Sequence, residues 1–310
     1  MNQTSVNTLI KTLRKNNGIS QEKLSEGLCS RDELSRIERG VRRPHWWLFE
    51  QLLQRLGEDS QRYYAVYNSI FTQEDMRIMN LREQLKHLLR DKRNIDEVTE
   101  LLITLEQDDA FKKGINLQLL LKSKSTLAFY CHDYNTMQAY VLEALKLTKP
   151  KFDESDIDSY ILLTHDETWL IQQLAIAYSF TDSIEKSTDI LLKLKIALDK
   201  GYATTDENIK TYSAILYNLT KNLGILGKFE NCIDLCDQGI AFCKKNRDAY
   251  LRPMFMYNKA CCLLDIEETS AAIELAKQVI TLFTIDERFD EIAKVQAYFE
   301  DKLKSKDIFM

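Results

Sequence analysis

The feature that most constrains this chain is a self-similarity held at a fixed offset near its C-terminal end. Tyr217-Asn218-Leu219 returns forty residues later as Tyr257-Asn258-Lys259, and the same offset pairs Leu223 with Leu263, Ile233 with Ile273, Gln238 with Gln278 and Ile240 with Ile280. An offset kept across a helix, a turn and a second helix marks a helical-hairpin repeat, whose units bury their apolar faces only by stacking on one another. Turn signals recur near Asn94-Ile95, Asp133-Tyr134, Ser183-Ile184, Lys228-Phe229 and Glu268-Thr269. They predict five hairpins, over Asp75 to Gln107, Asp109 to Leu147, Asp156 to Lys200, Asp206 to Lys244 and Asp248 to Phe283, closed by a last helix from Asp286 to Lys304 with a charged outer face. Three prolines and nine glycines in 310 residues are too few for the turns of a sheet-rich fold, so the expected class is all-α.

The N-terminal region follows a different plan. Ser20 can cap a short helix carrying Leu24 and ending at Gly27, and Gly27-Leu28-Cys29 supplies a tight turn. Ser30 with Glu33 then reads as a capping box for a second helix. Leu34 and Ile37 bury one side of it, Arg31, Asp32, Ser35 and Arg36 fall largely on the other, and Gly40 ends it. Val6, Leu9, Ile10 and Leu13 predict an amphipathic helix upstream; Trp46 to Leu56 predict one downstream, stopped by Gly57. Two short helices joined by a tight turn, the second opening with polar and basic residues, form a helix-turn-helix, the plan that lays a helix against base edges. Charge agrees: residues 1–47 carry nine Lys/Arg against five acids, a net +4, whereas the whole chain is −5 and the remainder therefore −9. Positive charge is concentrated where a polyanion would sit.

On these residues, Ile19 to Leu24, Ser30-Arg31 through Leu34 to Gly40, and Arg43-Pro44, the segment from residue 5 to about 58 resembles the XRE (Cro and phage-repressor) helix-turn-helix family. By position the resemblance implies that Gln21 bonds a phosphate and that Arg31, Asp32, Ser35 and Arg36, with the cap Ser30 at their head, face the major groove. Arg31 is best placed for a guanine edge. Arg39, Arg42 and Arg43 would grip the backbone. The hairpins resemble tetratricopeptide (TPR) repeats with lengthened helices, HEAT-like hairpins being the other option. The expected architecture is thus a five-helix helix-turn-helix domain with its linker helix over residues 1–70, then a right-handed TPR-like superhelix over 71–310.

In such a superhelix the first helix of each hairpin lines the concave side, a shape suited to an extended peptide. Asn218 and Asn258 hold one repeat position, and a side-chain amide can donate to and accept from a peptide bond at once, at about 1 kcal/mol per net bond. Asn222, one turn on, would extend the row, and Gln173 aligns with Asn218 at an offset of 45 residues. Tyr217, Tyr257, Lys221 and Lys259 would offer apolar walls and a charge for a carboxylate.

A helix-turn-helix followed by about five such hairpins is similar to the peptide-pheromone-responsive PlcR/PrgX/Rgg group of Gram-positive regulators. The resemblance implies that a short reimported peptide binds the concave surface through asparagines matching Asn218 and Asn258 and alters DNA binding of the dimer. One helix-turn-helix spans few base pairs, so a homodimer on a near-palindromic operator is expected. Of the adjacent Trp46 and Trp47 one is expected in the core, the other packing against the linker helix, the first hairpin or the second subunit. The linker helix from Arg62 to Ile70, with Tyr63 to Tyr67 in it, is a candidate coupling element.

No stretch approaches the 18 apolar residues of a membrane span and no signal peptide opens the chain, so a cytoplasmic protein is expected. The seven cysteines read as reduced core residues, with Cys232 and Cys236, joined by Cys261 or Cys262, as a remote metal set. The four histidines are dispersed, and HExxH, GxSxG and glycine-rich phosphate loops are absent. Neither catalysis, metal nor cofactor is expected, and His165-Asp166-Glu167 reads as a solvated helix face. Two other readings stand beside the peptide sensor: a repressor controlled by a protein bound to the hairpins, and a scaffold that binds no DNA.

Overall fold

The computed structural model describes residues 3–68, 71–160, 162–181, 183–200, 206–305 and 308–309. Among them every regular element is helical. The N-terminal helices are α1 (Gln3–Asn16), α2 (Gln21–Ser25), α3 (Arg31–Glu38), α4 (Trp46–Arg55) and α5 (Gln61–Asn68). Five hairpins follow: α6 (Gln73–Leu88) with α7 (Ile95–Gln107), α8 (Gly114–Tyr130) with α9 (Tyr134–Thr148), α10 (His165–Phe180) with α11 (Ile184–Asp199), α12 (Asp206–Ile225) with α13 (Phe229–Asn246), and α14 (Arg252–Asp265) with α15 (Thr269–Ile285). A lone α16 (Phe289–Leu303) comes last. Each second helix begins at the turn expected from sequence. The linker helix ends at Asn68 in the structure; residues 69 and 70, to which it was expected to run, lie outside the described residues.

The chain divides into two compact units, residues 1–183 with 196–205, and residues 184–195 with 206–310. In the first, Ser20 and Ser30 both act as N-caps, their hydroxyls accepting from the backbone N–H of Lys23 and Glu33. The capping box expected at Ser30 closes only halfway, because the Glu33 carboxylate turns to Arg42 at 3.2 Å. Complete boxes form instead at Thr72 with Asp75 and at Thr164 with Glu167. Ile10, Leu24, Leu34, Ile37, Phe49, Leu52 and Leu53 are fully buried and join α1 to α4 in one core. Both tryptophans are buried, and Trp46 packs on the linker helix, one of the partners expected for the second of the pair. Trp46 meets Phe49, Tyr64, Tyr67 and Phe71 edge-on or tilted, and Trp47 stacks on His45 at 4.6 Å. Adjacent helical residues diverge by about 100°, but here hydrophobic neighbours lie on both sides of α4.

The same unit clamps α2 and α4 onto the second and third hairpins. Arg55 and Glu167, both without solvent exposure, pair at 2.7 Å, and Arg55 also donates to the carbonyls of Leu24 and Glu26. Asp166 takes Lys122 at 2.6 Å and a hydrogen bond from Gln51. His165-Asp166-Glu167 is therefore an interior anchor, not a solvated face, and 112 residues of sequence separate Arg55 from its partner. Gly27, in the α2–α3 turn at φ +70°, packs so closely on α9 that a Cβ there would stand 1.9 Å from the Thr148 carbonyl oxygen. Only glycine satisfies both conditions.

In the second unit the forty-residue offset reappears as packing. Cys232, Cys236, Gly239 and Cys243 on α13 occupy the positions held on α15 by Ala272, Ala276, Val279 and Phe283, and all eight are buried. Ile215, Phe255 and Val295 do the same for α12, α14 and α16. These cysteines serve as small core residues. Cys131, at the end of α8, departs from the expectation and is exposed.

Candidate nucleic-acid interface

Arg31, Ser35 and Arg39 stand four residues apart on α3 and so share one face. With Lys11 of α1 and Ser20 and Gln21 at the start of α2 they line a shallow basin of about 600 Å³. Its floor is an ion-pair network that sequence reading missed. Glu38 accepts from Arg14 through both carboxylate oxygens, at 2.5 and 2.8 Å, and from the Gln21 amide at 2.8 Å. Arg14 also donates to the Ile19 carbonyl, so a single guanidinium ties α1 to α3 and to the loop before α2. Burial raises the Glu38 carboxyl, but the hydrogen bonds from Arg14 and Gln21 outweigh it and hold the group ionised below its usual range. Arg14 and Glu38 lie 24 residues apart without a local motif, so only the assembled helices reveal them.

Arg31 and Arg36 are exposed and have no carboxylate partner among the described residues; Arg39 is exposed and donates only to the Ser35 carbonyl. Asp32 is exposed beside them and pairs with neither arginine. Of the Gln21 amide protons one is held by Glu38, leaving the other to reach outward. Arg42 keeps a half-exposed pair with Glu33. Arg43 turns inward, correcting its placement among the backbone-gripping arginines: its guanidinium pairs with the buried Asp75 of α6 and lies 5.8 Å from the Tyr67 ring. Asp75 also takes His45 at 2.8 Å. Burial opposes its ionisation, but His45, the Thr72 backbone and hydroxyl, and Arg43 lower it to about 2. The outward cations are thus Lys11, Arg31, Arg36, Arg39 and Arg42. Lys11, which sequence reading used only in the charge count, gave its signal by lying one helical turn from Lys15 and Arg14 on the basic side of α1.

The residues expected to hold a peptide fall on three helices. Gln173 is half-buried on α10 in the first unit. In the second, Tyr217, Asn218 and Lys221 lie on α12, Tyr257 and Asn258 on α14. Asn218 is half-buried, and its amide has no hydrogen-bond partner among the described residues. Asn258 donates to the Thr220 hydroxyl at 2.9 Å, and that hydroxyl donates to the Tyr217 carbonyl. Tyr217 sits edge-on to Phe255, with the Lys221 ammonium 5.9 Å from its ring, and burial pushes its hydroxyl up to about 12. Lys259 is committed to Asp237 at 2.6 Å. Asn222 departs from the expected row: it is buried and donates to Ser187 at 2.8 Å, joining α12 to α11. One turn along α12 carries a side chain about 40° out of line with the first, enough to move it from an open face into a helix contact.

An α2–turn–α3 unit with a basic outer face, set on a basic first helix, defines a helix-turn-helix domain. Residues 8–62 match a family model described as a helix-turn-helix domain. No curated protein matches the chain. Solved structures extend the likeness over nearly all of it. PlcR of Bacillus thuringiensis, in complex with the peptide PapR7 and DNA, aligns with a TM-score of 0.58 at 19% identity, covering 94% of this chain and 98% of that one. ComR of Streptococcus vestibularis, in complex with its cognate signalling peptide XIP, gives 0.51 at 14% identity, covering 97% and 99%. The TPR-like repeats of a putative kinesin light chain from Podosopora anserina give 0.51 at 12% identity over 70% of this chain and 100% of that one. The shared property is the fold: along nearly the whole chain with PlcR and ComR, and over the TPR-like hairpins with the kinesin light chain repeats. Among the described residues no helix is long and apolar enough to cross a membrane.

Proposed function

We propose that this chain is a sequence-specific DNA-binding transcriptional regulator, non-enzymatic and cytoplasmic, in which residues 1–70 read an operator and residues 71–310 sense a short signalling peptide. The observation that carries the reading is the stripe Arg31, Ser35, Arg39 beside Lys11, whose cations are unpaired by carboxylates while the acid beneath them, Glu38, is consumed by Arg14 and Gln21. Such a face offers guanidinium groups to guanine edges and phosphates at little desolvation cost. Readout by a homodimer on a near-palindromic site would supply the specificity that one α3 lacks. The peptide half rests on Asn218 with its unpaired amide and Asn258 in the same repeat position, and on the likeness in fold to PlcR and ComR, whose complexes contain the peptides PapR7 and XIP.

Fluorescence anisotropy of the protein against DNA from its own upstream region and a shuffled control, at two salt concentrations, tests the reading. Specific binding should weaken steeply with salt and be lost in Arg31→Ala/Arg36→Ala. A candidate peptide added to the same assay should shift DNA affinity in the wild type and leave Asn218→Ala/Asn258→Ala unmoved. Equal, salt-insensitive binding of both DNAs would overturn the DNA reading; a fully responsive double asparagine variant would overturn the peptide site.

A further inference from the structure

A second cavity lies within the first unit, away from α3. It has a volume of about 470 Å³ and is walled on one side by the loops that follow α1 and α4, on the other by Tyr160, Leu162, Leu163 and the last turn of α11. Its lining combines apolar side chains, including Leu56, Leu162 and Leu198, with three cations, Lys23, Arg55 and Lys200, and contains no Asp or Glu. Arg55 is neutralised by Glu167, but its buried Nε has no hydrogen-bond partner. The Lys200 ammonium donates to the Asp158 carbonyl at 2.7 Å, a contact that leaves its charge uncompensated and two N–H groups to spare. Lys23 is exposed and has no ion pair among the described residues. Behind the wall, the Lys149 ammonium sits 5.5 Å from the ring of Tyr160, itself a lining residue. The acids in electrostatic reach are Glu167 and Glu26 for Lys149, and Asp156, Asp153 and Glu26 for Tyr160; all of them stand outside the lining, whose own charged side chains are cations. The volume falls in the range of small-molecule sites, which are mostly apolar with a few convergent polar groups.

We propose that this cavity binds a small amphipathic anion, a carboxylate or phosphate ester on an apolar body, with Lys23 and Lys200 meeting the head and Leu56, Leu162 and Leu198 the body. The site is independent of the DNA and peptide readings. Because its walls come from the helix-turn-helix and from the third hairpin, the ligand would hold those two parts together from inside one unit.

Calorimetric titration of the full chain with octanoate, octyl phosphate and octylamine tests it. The two anions should bind saturably at one site and octylamine should not, and the tighter anion identifies the head group. Lys23→Gln/Lys200→Gln, at two exposed positions, should weaken the anions at least about tenfold. Leu162→Trp, which fills the cavity without touching a charge, should block them. The proposal is overturned if octylamine binds as well as octanoate, if the anions bind both variants as they bind the wild type, or if neither anion gives saturable heat up to about 10 mM.

Discussion

The two units of this chain solve the burial problem in opposite ways. The first is held by polar groups taken largely out of water in pairs: Arg55 with Glu167, Arg14 with Glu38, Asp75 with Arg43. The second is held by a repeated apolar face in which Cys232, Cys236 and Cys243 stand where the next hairpin has Ala272, Ala276 and Phe283. A repeat needs only that each face fit its neighbour, and small or apolar residues of many kinds do that. A reading head must hold α3 at a defined angle, and directional, charge-assisted bonds fix orientation in a way apolar contact does not.

If that contrast holds, the largest single loss comes from stranding a buried charge. Glu167→Ala leaves the Arg55 guanidinium in the interior with only carbonyl acceptors, at an expected cost of about 3–5 kcal/mol. Arg55→Met/Glu167→Leu should recover most of that loss, since an apolar pair of similar volume replaces the ions. Urea unfolding followed by tryptophan fluorescence reads this directly, because all three tryptophans, Trp46, Trp47 and Trp169, belong to the first unit. A double variant no more stable than Glu167→Ala would show that geometry specific to the ion pair is required.

Gly27→Ala should come next, at about 2–3 kcal/mol, because a methyl at positive φ would meet backbone at Thr148 and not a side chain that can swing away. Asp75 gives a pH-dependent version of the same test. Its carboxyl is lowered to about 2 in the folded chain from an ordinary 3.8. A depressed carboxylate contributes stability above its unfolded pKa and loses it as pH falls through the folded one. Asp75→Asn should therefore be less stable than the wild type by about 2 kcal/mol at neutral pH, with the gap closing between about pH 4 and pH 2. A pH-independent gap would assign Asp75 a purely steric role.

What could be read from the sequence divides along the same line. The helices, their turns, the caps at Ser20 and Ser30 and the outward faces of α3 follow from local periodicity and nearby partners, so residues within a turn of one another suffice to predict them. The Arg55–Glu167 pair does not, since neither residue carries a local sign of the other and Glu167 in sequence is just the third residue of a capped helix. Arg43 misled for the same reason: a basic residue in a loop after α3 has the same local signature whether it faces a phosphate or Asp75 of another helix. Asn222 shows the limit inside the repeats, where a correct register with Asn218 gave the wrong face one turn later.

The smallest effect is expected where the second unit is most regular. Cys236 is fully buried, with its sulfur 3.9 Å from that of Cys232, and its counterpart one repeat on is Ala276. If α13 needs only a small side chain there, Cys236→Ala removes one sulfur from an otherwise apolar contact and should cost about 1 kcal/mol or less. The thiols are poorly disposed to do more: the sulfur contact with Cys236, and burial with it, push Cys232 up to about 12, and burial pushes Cys243 up to about 11, so both remain protonated at neutral pH. Thermal unfolding of Cys236→Ala beside Ala276→Cys then measures the symmetry of the two hairpins. Small, comparable shifts mean that the repeat tolerates either residue at either place. A loss several times larger for Cys236→Ala would mean that the thiol pair orders α13, and the division between an ion-paired reader and an apolar stack would no longer hold.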